Sequence, residues 1–141
     1  MRRTAAPIRV APVIVLDTSV LVGALTGLKL LGPAIRTALD EGEEILLPAL
    51  VLYEWLRGPR RSDELALQES LFPASSAIPF DTKDAIVSAD VYRAVSRART
   101  REVDLAIAAC ALVREARLWT LNRADFEDIP GLRLYQPVSS M

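Results

Sequence analysis

The chain has 141 residues, of which 51% are hydrophobic and 25% charged, with a formal net charge of −1. That length fits one domain around a single core, and a mean hydropathy of +0.24 leaves apolar surface to spare for a subunit or partner interface. With no histidine and one cysteine, Cys110, the composition excludes imidazole catalysis, an intramolecular disulfide and a cysteine zinc cluster, so any chemistry runs on carboxylates, hydroxyls and arginines.

Residues 1–12 carry arginines and alanines without an apolar stretch of signal-peptide length, and are expected to form a flexible N-terminal extension. Val13, Ile14, Val15 and Leu16 make a continuous aliphatic run, the pattern of a strand buried on both faces of a parallel sheet, and it stops at Asp17. Thr18 and Ser19 are expected to cap a helix through Leu25 that Gly27 ends. A second helix is expected from Pro33 to Asp40, then a short strand at Ile45–Leu47. Pro48 opens a helix that places Glu54 about two turns in, before Gly58 and Pro59 stop it. Ser62, Asp63 and Glu64 start another helix, through Leu71.

Ala77–Phe80 reads as a third strand, and Asp81 and Thr82 as the cap of a helix reaching Val95. From Glu102 the alanine-rich segment EVDLAIAACALVREA predicts a helix with Asp104 in its first turn and Cys110 as a core thiol in a reducing cytoplasm. Leu118–Leu121 is expected as a fourth strand, Asp125 in the turn ADFEDI, and Leu132–Tyr135 as an edge strand. No apolar run reaches the ~18 residues that span a bilayer. The alternation predicts an α/β fold, one domain over 13–136 with a mostly parallel sheet of four to five strands covered on both faces, and a tail at 137–141. In such sheets ligands lie beyond the carboxyl ends of the strands, where Asp17 falls.

Asp17 alone reads equally as a helix cap, Glu54 as a partner of Arg57, and Asp104 as charge on a helix dipole. Those readings leave unexplained why helix positions facing an apolar core carry acids in three separate βα units. A hard divalent cation with oxygen ligands explains all of them together. Positive charge clusters in Arg57, Arg60 and Arg61 and in Arg93, Arg97, Arg99 and Arg101, which serve either as phosphate contacts or as solvated helix faces. Tyr53, Trp55 and Trp119 lie within apolar runs and read as core before base stacking.

The ordered segments VIVLDTSVLV, LVLYEWLRG, VDLAIAACAL and LWTLNRADFEDIPGL resemble the motifs of PIN-domain ribonucleases, in particular VapC-type toxins of type II toxin–antitoxin pairs, over Val13 to about Leu134. The resemblance implies a three-layer α/β/α domain and a metal-dependent endoribonuclease. It makes Asp17, Glu54, Asp104 and Asp125 the catalytic ligands of Mg²⁺ or Mn²⁺, with Ser19, Thr120 and Asn122 supporting them. Some relatives carry an acid where this chain has Asn122. RNA phosphates would then meet Arg57, Arg60, Arg97, Arg99 and Arg101. A homodimer is implied, as is a cognate antitoxin seated in a groove involving Leu21, Leu25, Leu28 and Leu50. Two alternatives stay open: a non-catalytic PIN fold that binds RNA or a partner, and a phosphatase or dehalogenase with Asp17 as covalent nucleophile, although DTS lacks the second aspartate the phosphatase version needs.

Overall fold

The computed structural model describes residues 12–27 and 30–137; the expected extension before Pro12, most of the expected tail, and Leu28 of the expected partner groove lie outside them. Four strands, β1 (Val13–Leu16), β2 (Glu44–Leu46), β3 (Arg117–Trp119) and β4 (Arg133–Leu134), form one sheet in the order β2-β1-β3-β4. All three pairings are parallel. β1 is central, and Ile14, Val15 and Leu16 are fully buried, as an uninterrupted aliphatic strand between two helical layers requires. Six helices connect the strands: α1 (Thr18–Thr26), α2 (Leu31–Asp40), α3 (Ala49–Arg57), α4 (Ser62–Leu71), α5 (Thr82–Ala94) and α6 (Glu102–Val113). α1 packs on α2, α3 and α4, while α5 pairs with α6, which also lies on β1 and β3, giving the three-layer α/β/α arrangement.

The strand expected at Ala77–Phe80 is absent. Its place is taken by a 3₁₀ turn at Ala74–Ser76 and a single parallel bridge between Ile78 and Pro48. Pro79 has no N–H to give a ladder, so pairing stops after Ile78 has exchanged bonds with Leu47 and Ala49. Thr18 and Ser19 do not cap α1 either: the cap position belongs to Asp17, whose side chain makes no capping bond. Helix α6 ends earlier than its composition predicts, because the chain turns back through Glu115 at φ 52°.

Trp55 and Trp119 are core residues, whereas Tyr53 is 57% exposed. Cys110 is buried in α6, and burial pushes its thiol up to about 12, so it is an inert core group. The α5–α6 contact contains one fully buried charge, Asp84. Arg114 answers it with two bonds of 2.7 and 3.2 Å, and the Asp81 N–H donates to it at 3.0 Å. Burial opposes the ionised form of Asp84, but the Arg114 guanidinium and the Asp81 amide outweigh it and hold the carboxyl below its ordinary 3.8. Removing the cation strands a buried carboxylate, so Arg114→Met should lower the unfolding free energy at pH 7 by ~3 kcal/mol in urea titration. Because the folded-state pKa is depressed, the contribution of the pair is whole above ~pH 5 and fades as pH falls through that lowered value. Asp84→Asn should remove this acid-side dependence from the stability curve.

Candidate active site

Asp17 follows the last residue of β1, and its N–H donates to the Trp119 carbonyl at 2.9 Å, extending the ladder one step past the strand. Asp17 is 3% exposed. Two hydroxyls hold the same oxygen: Ser19 donates to Oδ2 at 2.8 Å and Thr120 at 2.7 Å. Oδ1 takes no hydrogen bond among the described residues. Ser19 and Thr120 are in turn fixed by the backbone of the loop beyond β3, since Leu121 N–H donates to Ser19 and Asn122 N–H to Thr120, both at 3.0 Å. β1, α1 and β3 are thus tied together through one carboxylate.

Glu54, in the second turn of α3, accepts from the Thr18 hydroxyl at 2.5 Å through Oε1 and from Arg57 at 3.2 Å through Oε2. Asp104, in the first turn of α6, is half-buried and accepts no side-chain hydrogen bond among the described residues. Asp125 is exposed at the end of a 3₁₀ turn, Arg123–Asp125, and Asn122 is exposed at its start. Burial first, and then the charges of Asp17, Glu54 and Asp125, push the Asp104 carboxyl up to about 6. The four acids therefore share one electrostatic environment at the carboxyl end of the sheet, and that environment is short of positive charge.

The donor set is all oxygen, and Asp17 Oδ1 together with the carboxylates of Asp104 and Asp125 is free of hydrogen bonds, which suits a hard divalent cation. No three acidic groups among the described residues stand at a spacing that already encloses a metal ion. Glu54 is engaged by Thr18 and Arg57.

The five arginines expected near RNA have different surroundings. Arg57 pairs with Glu54 and lies 5.3 Å from the Tyr53 ring centre. Arg60 stacks 4.1 Å over Trp55 and donates to the Trp55 carbonyl at 2.9 Å. Arg101 is engaged by Asp128, while Arg97 and Arg99 are exposed and form no side-chain hydrogen bond or ion pair among the described residues. Thr18 and Asp128 escaped sequence reasoning. A threonine after a strand reads as a cap, and an acid three residues past Asp125 reads as surface charge; only the fold shows their partners.

In metal-free protein Asp104 should make stability fall as pH rises. Its folded pKa of about 6 exceeds the ordinary 3.8, so the folded state holds the proton more tightly and loses that advantage between those values. Asp104→Asn should therefore melt higher than the parent chain at pH 7 in chelator, with the difference shrinking at pH 4. An equal difference at both pH values would contradict the electrostatic account.

A profile of the PIN domain matches residues 14–132. Ribonuclease VapC19 of Mycobacterium tuberculosis is 33% identical over 127 residues, covering 84% of this chain and 95% of its own. Among solved structures, DNA-bound VapBC from Salmonella typhimurium superimposes with a TM-score of 0.71 at 23% identity, over 88% of this chain and 97% of that one. VapBC2 from Rickettsia felis, bound to a DNA fragment from its promoter, gives 0.68 at 19% identity, over 87% and 97%. The four-stranded parallel sheet, the βα order and the match along nearly the whole domain make this chain a member of the PIN-domain family.

Proposed function

We propose that the chain is an endoribonuclease that hydrolyses RNA phosphodiester bonds with Mg²⁺ or Mn²⁺ held among Asp17, Glu54, Asp104 and Asp125, and that it is the toxin of a toxin–antitoxin pair. The observation that carries this reading is that Asp17, Glu54 and Asp125 all act on Asp104, whose carboxyl is pushed up to about 6 by burial first and then by those charges. The relative named Ribonuclease VapC19 and the likeness to VapBC structures support the activity and the pairing with an antitoxin.

What a divalent cation supplies when bound is a more acidic water and neutralised charge on the phosphate. The chain's own groups organise that chemistry. Ser19 and Thr120 fix one Asp17 oxygen and leave the other without a hydrogen bond among the described residues. Thr18 orients Glu54. Asn122 and Asp125 are exposed at the two ends of the 3₁₀ turn, and no side chain has to act as nucleophile. Beside Asp104 lies a depression of about 420 Å³ that Arg97, Thr100 and Arg101 share with Asp125. Arg97 and Arg99 offer charge to the phosphates flanking the cut.

The antitoxin is assigned to a mainly apolar depression of about 560 Å³ between α1, α2 and α4, where Leu25, Ile35, Leu39, Leu67 and Leu71 are among the lining residues. Leu21 is fully buried in the core and is not part of that surface. A homodimer in the cytoplasm completes the proposal, and no single described helix is long and apolar enough to cross a membrane.

Purified protein with Mn²⁺ should cut at least one member of a panel of tRNA, rRNA fragments and mRNA. Chelation should stop the cutting, and Asp17→Asn, Glu54→Gln and Asp104→Asn should each slow it more than ~100-fold. Equal cutting by the parent chain and Asp17→Asn would expose a contaminant. An intact panel would leave a non-catalytic, partner-binding PIN fold.

A further inference from the structure

Arg101 occupies the position before α6, three residues ahead of Asp104. Its guanidinium reaches four acceptors on two other segments. Nη1 donates to the Ser96 carbonyl at 3.0 Å and to Asp128 Oδ2 at 2.8 Å. Nη2 donates to the Asp125 carbonyl and to Asp128 Oδ1, both at 2.7 Å. A guanidinium has two N–H groups on each Nη and one on Nε, so both Nη atoms are fully used and only the Nε–H is left over. The arginine side chain is 17% exposed, and its charge is matched by Asp128. An RNA phosphate would find no free fork here and no net charge.

The same contacts join the two acids that the chain otherwise holds on separate elements. Asp104 rides on α6, and Asp125 ends the 3₁₀ turn whose carbonyl Arg101 grips. We infer that Arg101 and Asp128 form a latch that fixes the spacing of Asp104 and Asp125 for the cation, and that Arg101 is a positioning residue rather than an RNA contact. This rests on the proposal that those acids hold a divalent ion.

The decisive variant is Asp128→Asn in the full chain, because the two roles of Arg101 predict opposite signs. Were Arg101 an RNA contact, Asp128→Asn would free its fork and remove a negative charge from the RNA path, so KM for RNA would fall. As half of a latch, Asp128→Asn should weaken Mn²⁺ binding about 10-fold in RNA-free protein, read by electron paramagnetic resonance, and lower kcat with little change in KM. Arg101→Met should do the same, and the double variant should be no worse than either single one, since both break one unit. Asp128→Glu should recover part of the Mn²⁺ affinity, a rescue that general loss of folding would not show.

Mn²⁺ affinity unchanged in Asp128→Asn while Asp17→Asn loses it overturns the latch and spares the metal site. Mn²⁺ bound with the expected losses but no RNA cut overturns the nuclease assignment and leaves the latch standing. Failure of the parent chain to bind Mn²⁺ overturns both.

Discussion

Carboxylates brought to one end of a sheet repel each other and lose water, and each must find a donor, a cation or a proton. The local architecture of this protein follows from how each acid meets that requirement. Asp17 is almost wholly buried and takes two hydroxyls on one oxygen. Glu54 takes one hydroxyl and one guanidinium. Asp104 finds neither among the described residues, and its carboxyl is the one pushed up to about 6. Under the proposed function, the remaining deficit is one that a divalent ion would meet.

The scaffold meets this electrostatic load by anchoring α6 at both ends. At its N-terminus Arg101 reaches out to Asp128, and just past its C-terminus Arg114 reaches back to the buried Asp84 on α5. Between them lie Ile107, Ala108, Ala109, Cys110 and Ala111, all buried, and the small side chains of Ala108, Ala109, Cys110 and Ala111 let the helix pack closely. A helix held this way cannot readily slide to relieve repulsion at Asp104.

The central strand, the helix order and the positions of the four acids were legible in the sequence because each rests on a local pattern: an aliphatic run, helical spacing, or an acid at the junction of two elements. What was not legible depends on contacts across the chain. Thr18 and Glu54 are 36 residues apart, and Arg101 and Asp128 are 27 apart, so no spacing rule joins them. The segment Ala77–Phe80 has the composition of a strand, and it fails because Pro79 offers no donor and β2 beside it is only three residues long. Asp17 was read both as cap and as ligand, and the structure gives it the cap position without a capping bond, leaving its side chain to Ser19 and Thr120.

The arginines show why counting charges in a sequence overstates a phosphate-binding surface. Five were candidates, yet Arg60 stacks its guanidinium over the buried Trp55, Arg57 is matched by Glu54, and Arg101 by Asp128. A paired guanidinium adds little long-range field, because its partner cancels it within a few ångströms, and exposed pairs contribute only ~0.2 to 1 kcal/mol. Of the five, Arg97 and Arg99 alone form no side-chain hydrogen bond or ion pair among the described residues; they lie in the turn between α5 and α6 where Arg97 adopts φ 53°. That left-handed residue redirects the chain just before Arg101, so the turn that presents the exposed cations is the one the Arg101 contact to the Ser96 carbonyl holds in place. One loop thus carries both the exposed Arg97 and Arg99 and the Arg101 that is tied to Asp128.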